Sequence, residues 1–517
     1  MPRGRARRTA GIVGRTLCAQ ALHAVRTPSG DPPPAVHDKH RQRARTVRAT
    51  LEELGPLYVK VGQILATRPD FVPHHVRQEL AQLNDEATVE PFTAFEPVLE
   101  EELGPGWRDR FQAVHTGEPL GSASLAQVYK AVTADGTPCV IKVQRPGART
   151  AVRDDMKVLR TAARLLGLAA PRFKEVVAPD ALLEALFTVM EPELDFTREA
   201  KNMNTARIHA ARFTRLSVPA VIDATPRVLV QTLADGVPIN KVKPDTLTNE
   251  QRTALAGDLI TFMLRSYFVE RTFHADPHPG NILISDTGTA HLIDWGMVGR
   301  IDRNASTAFL GAFLSLVRND GAGMARQWIN LGYATPWSNI SGFIADVSNA
   351  VPHWADASLD ELNFGVALTA VLRFSTSRGI RITPLASVVG KSVANIEGSV
   401  RCICPDLKLS DALRDALPDI VKDLLGEILS AEQVAQSAID GLTAAAKVPS
   451  QVEALLDDMA GRQFTIQSRA GLTDARWQPR TLLRGVLTTS LVTAAAAALT
   501  RNRTRQEQEA TRRTPLA

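Results

Sequence analysis

Apolar residues recur every three or four positions along most of the 517-residue chain and alternate in one short block. That pattern predicts a largely helical protein with one compact strand-rich region. Leu51, Leu54, Leu57, Val61, Ile64 and Leu65 predict a helix over 49–67, ended by Arg68-Pro69-Asp70. Further helices are expected over 73–84 and 92–103, the second closing at Gly104-Pro105-Gly106. Over 111–145 the period changes. A strand at 111–114, a small-residue loop near 121–124, a strand to 131, an Asp135-Gly136 turn and a strand at 139–143 follow in order. Helices over 147–170, 180–207 and 249–270 surround another strand at 227–231. Residues 301–460 read as helices with little strand signal, for example 305–318 and 451–459, and carry no chemical motif.

Charge divides the chain further. The formal net charge is +5, but residues 1–48 carry 11 Arg and Lys against 2 Asp, and residues 480–517 carry 7 Arg against 2 Glu. The middle is left at −9. Basic ends on an acidic globule fit an anionic surface. Phospholipid suits them better than nucleic acid, because no aromatic-basic motif accompanies the arginines. With Pro32-Pro33-Pro34 inside it, 1–48 reads as a mostly disordered leader. Gly485 to Thr500 is an uncharged run of 16, short for a membrane span, and reads as a candidate membrane or interfacial helix. Four cysteines suit neither a disulfide framework nor a four-Cys zinc site, so a reducing, cytoplasmic setting is expected.

The chemistry concentrates in His274-Ala275-Asp276-Pro277-His278-Pro279-Gly280-Asn281 and in Asp294-Trp295-Gly296. Phosphoryl transfer needs a carboxylate for the acceptor hydroxyl, and an amide oxygen with a second carboxylate for divalent metal. Asp276, Asn281 and Asp294 have that order and spacing. Upstream, Val140-Ile141-Lys142 supplies a strand lysine for nucleotide phosphates. Glu193, Asp195 and Glu199 follow, and Glu199 is the expected ion-pair partner of Lys142. Gly121-Ser122-Ala123-Ser124 stands where a glycine-rich phosphate loop would, and Gln231 and Leu233 where a hinge would hold adenine.

These residues, with Leu54-Gly55-Pro56 through Lys60-x-Gly62-Gln63 and with Lys142-Val143-Gln144-Arg145-Pro146-Gly147, resemble the ABC1/UbiB (AarF/ADCK) family of atypical kinases over about 49–460. The resemblance implies an α+β, protein-kinase-like bilobal fold with an N-terminal helical extension and a helical C-terminal region. The expected divisions are the leader 1–48, an extension 49–110, an N-lobe 111–236, a C-lobe 237–460 and a tail 461–517. It also implies that Lys60 and Gln63 reach toward Glu193 and Asp195 as a gate over the active site. Asp276, Lys142 and Glu199 would be catalytic, and Asn281 and Asp294 metal-binding. Gly121, Ser122, Ala123, Ser124, Gln231 and Leu233 would line the nucleotide site. The implied cofactors are ATP (or ADP) and Mg2+. The implied work is an atypical kinase or ATPase activity near the cytoplasmic face of a membrane, in isoprenoid-quinone biosynthesis or lipid homeostasis, with quinone-pathway enzymes and anionic lipid as partners. The absence of Arg before Asp276, and of Ala-Pro-Glu after Asp294-Trp295-Gly296, argues against control by loop phosphorylation. Two alternatives stay open. One is an aminoglycoside- or choline-type phosphotransferase, which lacks the Lys-x-Gly-Gln helix. The other is a nucleotide- and lipid-binding scaffold without turnover.

Overall fold

The structure, a computed structural model, describes residues 35–428 except 56, 60, 63–73, 81, 84–87, 170–192, 244, 336–337, 356–363 and 408. The described residues belong to one compact unit, Met1–Leu429. The second unit, Ser430–Ala517, lies outside them, and with it the predicted helix 451–459 and the uncharged run 485–500.

Helix α1 (Ala35–Leu54) starts within the predicted leader. Residues 35–48 are therefore helical, contrary to the expectation for that stretch. Its arginines are spaced so that Ala44, Val47 and Leu51 face inward. Arg45 pairs with Glu79 at 3.3 Å, and Arg48 Nη1 donates to Gln82 at 2.8 Å, on and just beyond α2 (His74–Leu80). The single helix expected over 49–67 is interrupted at Gly55, whose φ of +108° takes the chain out of helical geometry. Leu57, Tyr58 and Val59 are buried beyond the break. Gly62 is fixed by packing: an added Cβ would stand 2.2 Å from Leu83 and 2.9 Å from Leu51.

The N-lobe sheet takes β1 (Phe111–Val114), β2 (Gly121–Ser122), β3 (Ala126–Thr133), β4 (Pro138–Gln144), β6 (Val221–Ala224) and β7 (Val228–Thr232) in the antiparallel order β1-β3-β4-β7-β6, with β2 on β3. Its alternating β-branched and aromatic residues bury one face against α3 (Glu96–Leu103). Phe92, Phe95, Trp107, Tyr129 and Ile141 form that core, with Phe92 edge-on to Tyr129 at 4.8 Å. Helices α4 (Ala148–Ala169) and α5 (Phe196–Ala210) lie in the chain between β4 and β6. Among the described residues a second lobe is built round α6 (Asn249–Phe268), which a Thr248/Gln251 capping box starts and whose last 14 positions are mostly buried.

After α6 come β9 (Thr272–His274), β10 (Ile282–Ile284), β11 (Ala290–Leu292) and β12 (Val298–Arg300). β10 pairs with β11 and with β8 (Val237–Pro238), β11 pairs with β5 (Leu216–Ser217), and β9 pairs with β12. The β9–β10 and β11–β12 connections therefore lie side by side. Beyond them stand α7 (Arg303–Val317), α8 (Gly321–Ile329), α9 (Ile340–Ala355), α10 (Phe364–Ser377), α11 (Pro384–Arg401) and α12 (Leu409–Ile428). One short ribbon, β13 (Gly332–Ala334) on β14 (Ile380–Ile382), stands where helices with little strand signal are expected. Its paired residues are 46 to 50 positions apart, too far for a local hairpin signal.

Candidate active site

Lys142 enters the cleft from β4, where Val128 of β3 and Leu229 of β7 flank it in register. Its Nζ lies 2.8 and 2.9 Å from the two carboxylate oxygens of Glu199 and 3.1 Å from Asp294 Oδ1. Glu199 sits in the first turn of α5, which Asp195 caps by accepting the Thr197 N–H. One cation thus serves two carboxylates. Burial and both acids push on the Lys142 ammonium, and the acids win, holding its pKa above the usual range. Burial pushes Glu199 up to about 7, against the pull of Lys142 and with the push of Asp294. The two upward shifts are compatible. In a three-group cluster with one excess negative charge, the most buried carboxylate, Glu199, carries the penalty, while half-exposed Asp294 keeps its water.

Asp276 lies on the loop between β9 and β10. Its N–H donates to His274 Nδ1 at 3.1 Å, so the proton of His274 is on Nε2, 3.1 Å from the Ile293 carbonyl it donates to. Burial holds His274 below its ordinary pKa, which keeps the ring neutral and this tautomer fixed. Asn281 spends its Nδ2 on the Asp276 carbonyl at 3.1 Å, which leaves its side-chain oxygen to act as a ligand. Asp294 adopts φ +58°. The residue after it is anchored: Trp295 is buried, donates Nε1 to the Leu292 carbonyl at 3.1 Å and lies 4.7 Å from the His274 ring.

The small-residue loop is held from below. Arg145 Nε donates to the Ala123 carbonyl at 2.9 Å, and its Nη groups reach Ser122 Oγ, Glu90 and the Thr88 carbonyl at 2.7 to 2.9 Å. Gln127, fully buried, bonds both the N–H and the carbonyl of Glu90. The stretch before the N-lobe is thereby tied to the loop.

Ala123, Ser124, Lys142, Glu193, Glu199, Asp276, Asn281 and Asp294 line one cleft between the lobes. Gly121 and Ser122 are instead paired in β2, and Gln231 and Leu233 lie at the end of β7; none of these four lines the cleft. The Leu233 N–H is taken by the Pro138 carbonyl at 3.0 Å. Lys60 and Gln63 lie outside the described residues, so only the Glu193 and Asp195 side of the expected gate is visible. Glu193 faces the cleft, while Asp195 is engaged as a helix cap. Among the described residues no group of three or more His, Cys, Asp or Glu could hold a metal alone. The donor set of one amide oxygen and one carboxylate fits a magnesium ion completed by nucleotide phosphates.

The stretch beyond residue 301, expected to carry no chemistry, in fact reaches the site. Lys391 Nζ stands 2.8 Å from Asp276 Oδ2, and Asn395 Nδ2 donates to Asp276 Oδ1. Ser392 donates to the His274 carbonyl at 2.6 Å and Ser399 to that of Pro277 at 2.9 Å. The available signal was a polar stripe at 391, 392, 395 and 399 on a helix with apolar residues between them. A stripe of that kind identifies a polar face but not what it meets.

A strand lysine paired to a helix glutamate, over a loop aspartate and asparagine and a second aspartate, defines a kinase-like phosphotransferase fold in two lobes. The family model of the ABC1 atypical kinase-like domain matches residues 82–328. The uncharacterized protein slr0889 of Synechocystis is 30% identical over 361 residues, 68% of this chain and 88% of that protein. A probable protein kinase UbiB of Azotobacter vinelandii is 30% identical over 375 residues, 71% of this chain and 69% of that one. The solved complex of Rv3197 with erythromycin from Mycobacterium tuberculosis shares the fold, with a TM-score of 0.52 at 22% identity over 75% of this chain and 98% of that one. The chain belongs to the ABC1 atypical kinase-like family.

Proposed function

We propose that the cleft binds ATP or ADP with Mg2+ and moves the terminal phosphoryl group to a hydroxyl acceptor or to water. The observation that carries this reading is the convergence of Lys142, Glu199, Asp276, Asn281 and Asp294 on one cleft, from elements up to 152 residues apart. Asp294 and Asn281 would hold the metal against the phosphates. Lys142 would turn from Asp294 to the phosphates while Glu199 keeps it in place. Asp276 would receive the acceptor proton.

Family likeness and the basic ends support a setting at the cytoplasmic face of a membrane, in isoprenoid-quinone biosynthesis or lipid homeostasis, beside anionic lipid and quinone-pathway enzymes. Among the described residues no helix is long and apolar enough to cross a membrane.

The test is nucleotide hydrolysis by the purified chain with and without Mg2+, with and without anionic liposomes, beside Asp294→Asn. We expect Mg-dependent turnover that rises with liposomes and falls about 100-fold or more in the variant, as for loss of a group that neutralises transition-state charge. Nucleotide binding without turnover in every condition would favour a scaffold and overturn the enzyme reading.

A further inference from the structure

Among the described residues the cleft lining holds four carboxylates, Glu193, Glu199, Asp276 and Asp294, against one lysine. That lysine is committed to Glu199 and Asp294. The loop carrying Asp276 brings no lysine or arginine of its own. Two residues on stands His278, whose Nδ1 accepts the Gly280 N–H. A charge partner of Asp276 comes from α11, 115 positions away, as Lys391. Both groups are mostly covered, with side-chain exposures of 25% and 19%.

We propose that Lys391, with Asn395 beside it, is the positioning residue of the phosphotransfer site, fixing the Asp276 carboxylate by one donor on each oxygen. This rests on the phosphotransfer reading above and adds an element to it. Lys391 and Asn395 are four apart and share a face of α11. With one oxygen bonded to each, the carboxylate plane cannot turn about its terminal bond. A base that must meet an acceptor hydroxyl at hydrogen-bonding distance gains from that restraint. The serines of the same face bind the loop backbone on either side of Asp276, through the carbonyls of His274 and Pro277. Helix α11 therefore grips the side chain and the main chain together. Ser392 is in turn held by the buried Tyr267 hydroxyl of α6 at 2.8 Å, so the grip is anchored in the lobe's main core.

The inference separates nucleotide binding from chemistry. Lys391 does not touch Asp294, Asn281 or Lys142 in any hydrogen bond among the described residues, so its loss should spare the nucleotide and slow the transfer. The experiment compares Lys391→Met, Lys391→Arg and Asn395→Leu in the full chain. Turnover is measured with Mg-ATP, and affinity with a non-hydrolysable ATP analogue and Mg2+. We expect Lys391→Met to lower kcat about 100-fold, the low end of what a positioned acid-base group contributes, with analogue affinity within about threefold of the parent. Lys391→Arg should recover a large part of that loss, because it restores the cation if not its position. A thermal melt shows whether each variant is folded. Parent-like kcat in Lys391→Met would overturn the inference, and so would equal losses of kcat and analogue affinity, which mark a merely structural role. A parent chain that turns over no nucleotide sinks the phosphotransfer reading, and this inference with it.

Discussion

Glu199 is the residue whose ionisation decides the state of the cleft. Its pKa, raised to about 7 by burial, places the change between neutral and charged forms in the working range. Only the carboxylate holds Lys142. The sign follows: below about 7 the acid is protonated and Lys142 would turn to Asp294, the residue proposed to hold metal; above it the pair forms. We expect kcat/KM to rise with pH through about 7 as a single ionisation. In Glu199→Gln that limb should vanish and turnover should stay low at every pH. The same group works against folding as pH rises. A folded-state pKa above the ordinary 4.5 gives stability that is complete below 4.5 and declines as pH passes through about 7. A pH–rate profile of both proteins checks the first point, and chemical denaturation at pH 5 and pH 8 the second. The Lys142–Glu199 pairing was legible in order and residue type, since a strand lysine and a helical acid are local signals. The sharing of Lys142 with Asp294, which helps to raise the pKa values of Lys142 and Glu199, is not local and could not be read from spacing.

At the scale of elements, the sequence signals that succeeded were those with a mechanism inside the element. Helix α6 is marked by its Thr248/Gln251 cap and its periodicity, and it runs Asn249–Phe268 against an expected 249–270. The strands of 111–145 were marked by alternation and by the Asp135-Gly136 turn, where Gly136 takes φ +87°. The start of α1 was obscured because its arginines look like a solvated leader until Glu79 and Gln82 are known to face them. The reach of α11 was hidden for the same reason, its polar stripe having no visible partner. The small-residue loop shows the same limit. Its single glycine at 121 reads as a departure from a glycine-rich loop, yet Arg145 holds the loop in shape by bonding Ala123 and Ser122. A lysine at 145 keeps the charge but cannot span Ala123, Ser122, Glu90 and Thr88 at once. Losing about two of these bonds at about 1 kcal/mol each should weaken nucleotide binding by roughly 10- to 30-fold in Arg145→Lys. A rise in KM with kcat little changed, alongside direct binding of the ATP analogue, is the expected result.

At the scale of the whole molecule, the family model ends at residue 328, but the support of Asp276 comes from residues 391–399. The working unit is therefore larger than the segment that carries the motifs. Helix α12 closes the same lobe: Asp423 is bonded by Arg265 and Arg212, and Glu427 by both Nη groups of Arg271 at 2.8 and 2.9 Å. The acidic middle and basic ends then divide the labour differently from the lobes. If the ends serve a membrane, their charge should matter to binding and not to the chemistry of a cleft built from residues 88–399. Residues 1–34 hold six arginines: Arg3, Arg5, Arg7, Arg8, Arg15 and Arg26. A basic side chain near an anionic bilayer contributes about 1 kcal/mol, falling off within a Debye length of roughly 10 Å at 0.1 M salt. Changing all six to glutamine should lower affinity for phosphatidylserine-containing vesicles at least about 100-fold at low salt, and far less at 0.5 M salt. Turnover without vesicles should stay at the parent value, and its stimulation by vesicles should be lost. Sedimentation with vesicles at two salt concentrations, beside the turnover assay, reads both quantities. Vesicle binding that survives the change would move the membrane contact away from the N-terminal arginines, to the seven at 480–513 or the uncharged run at 485–500.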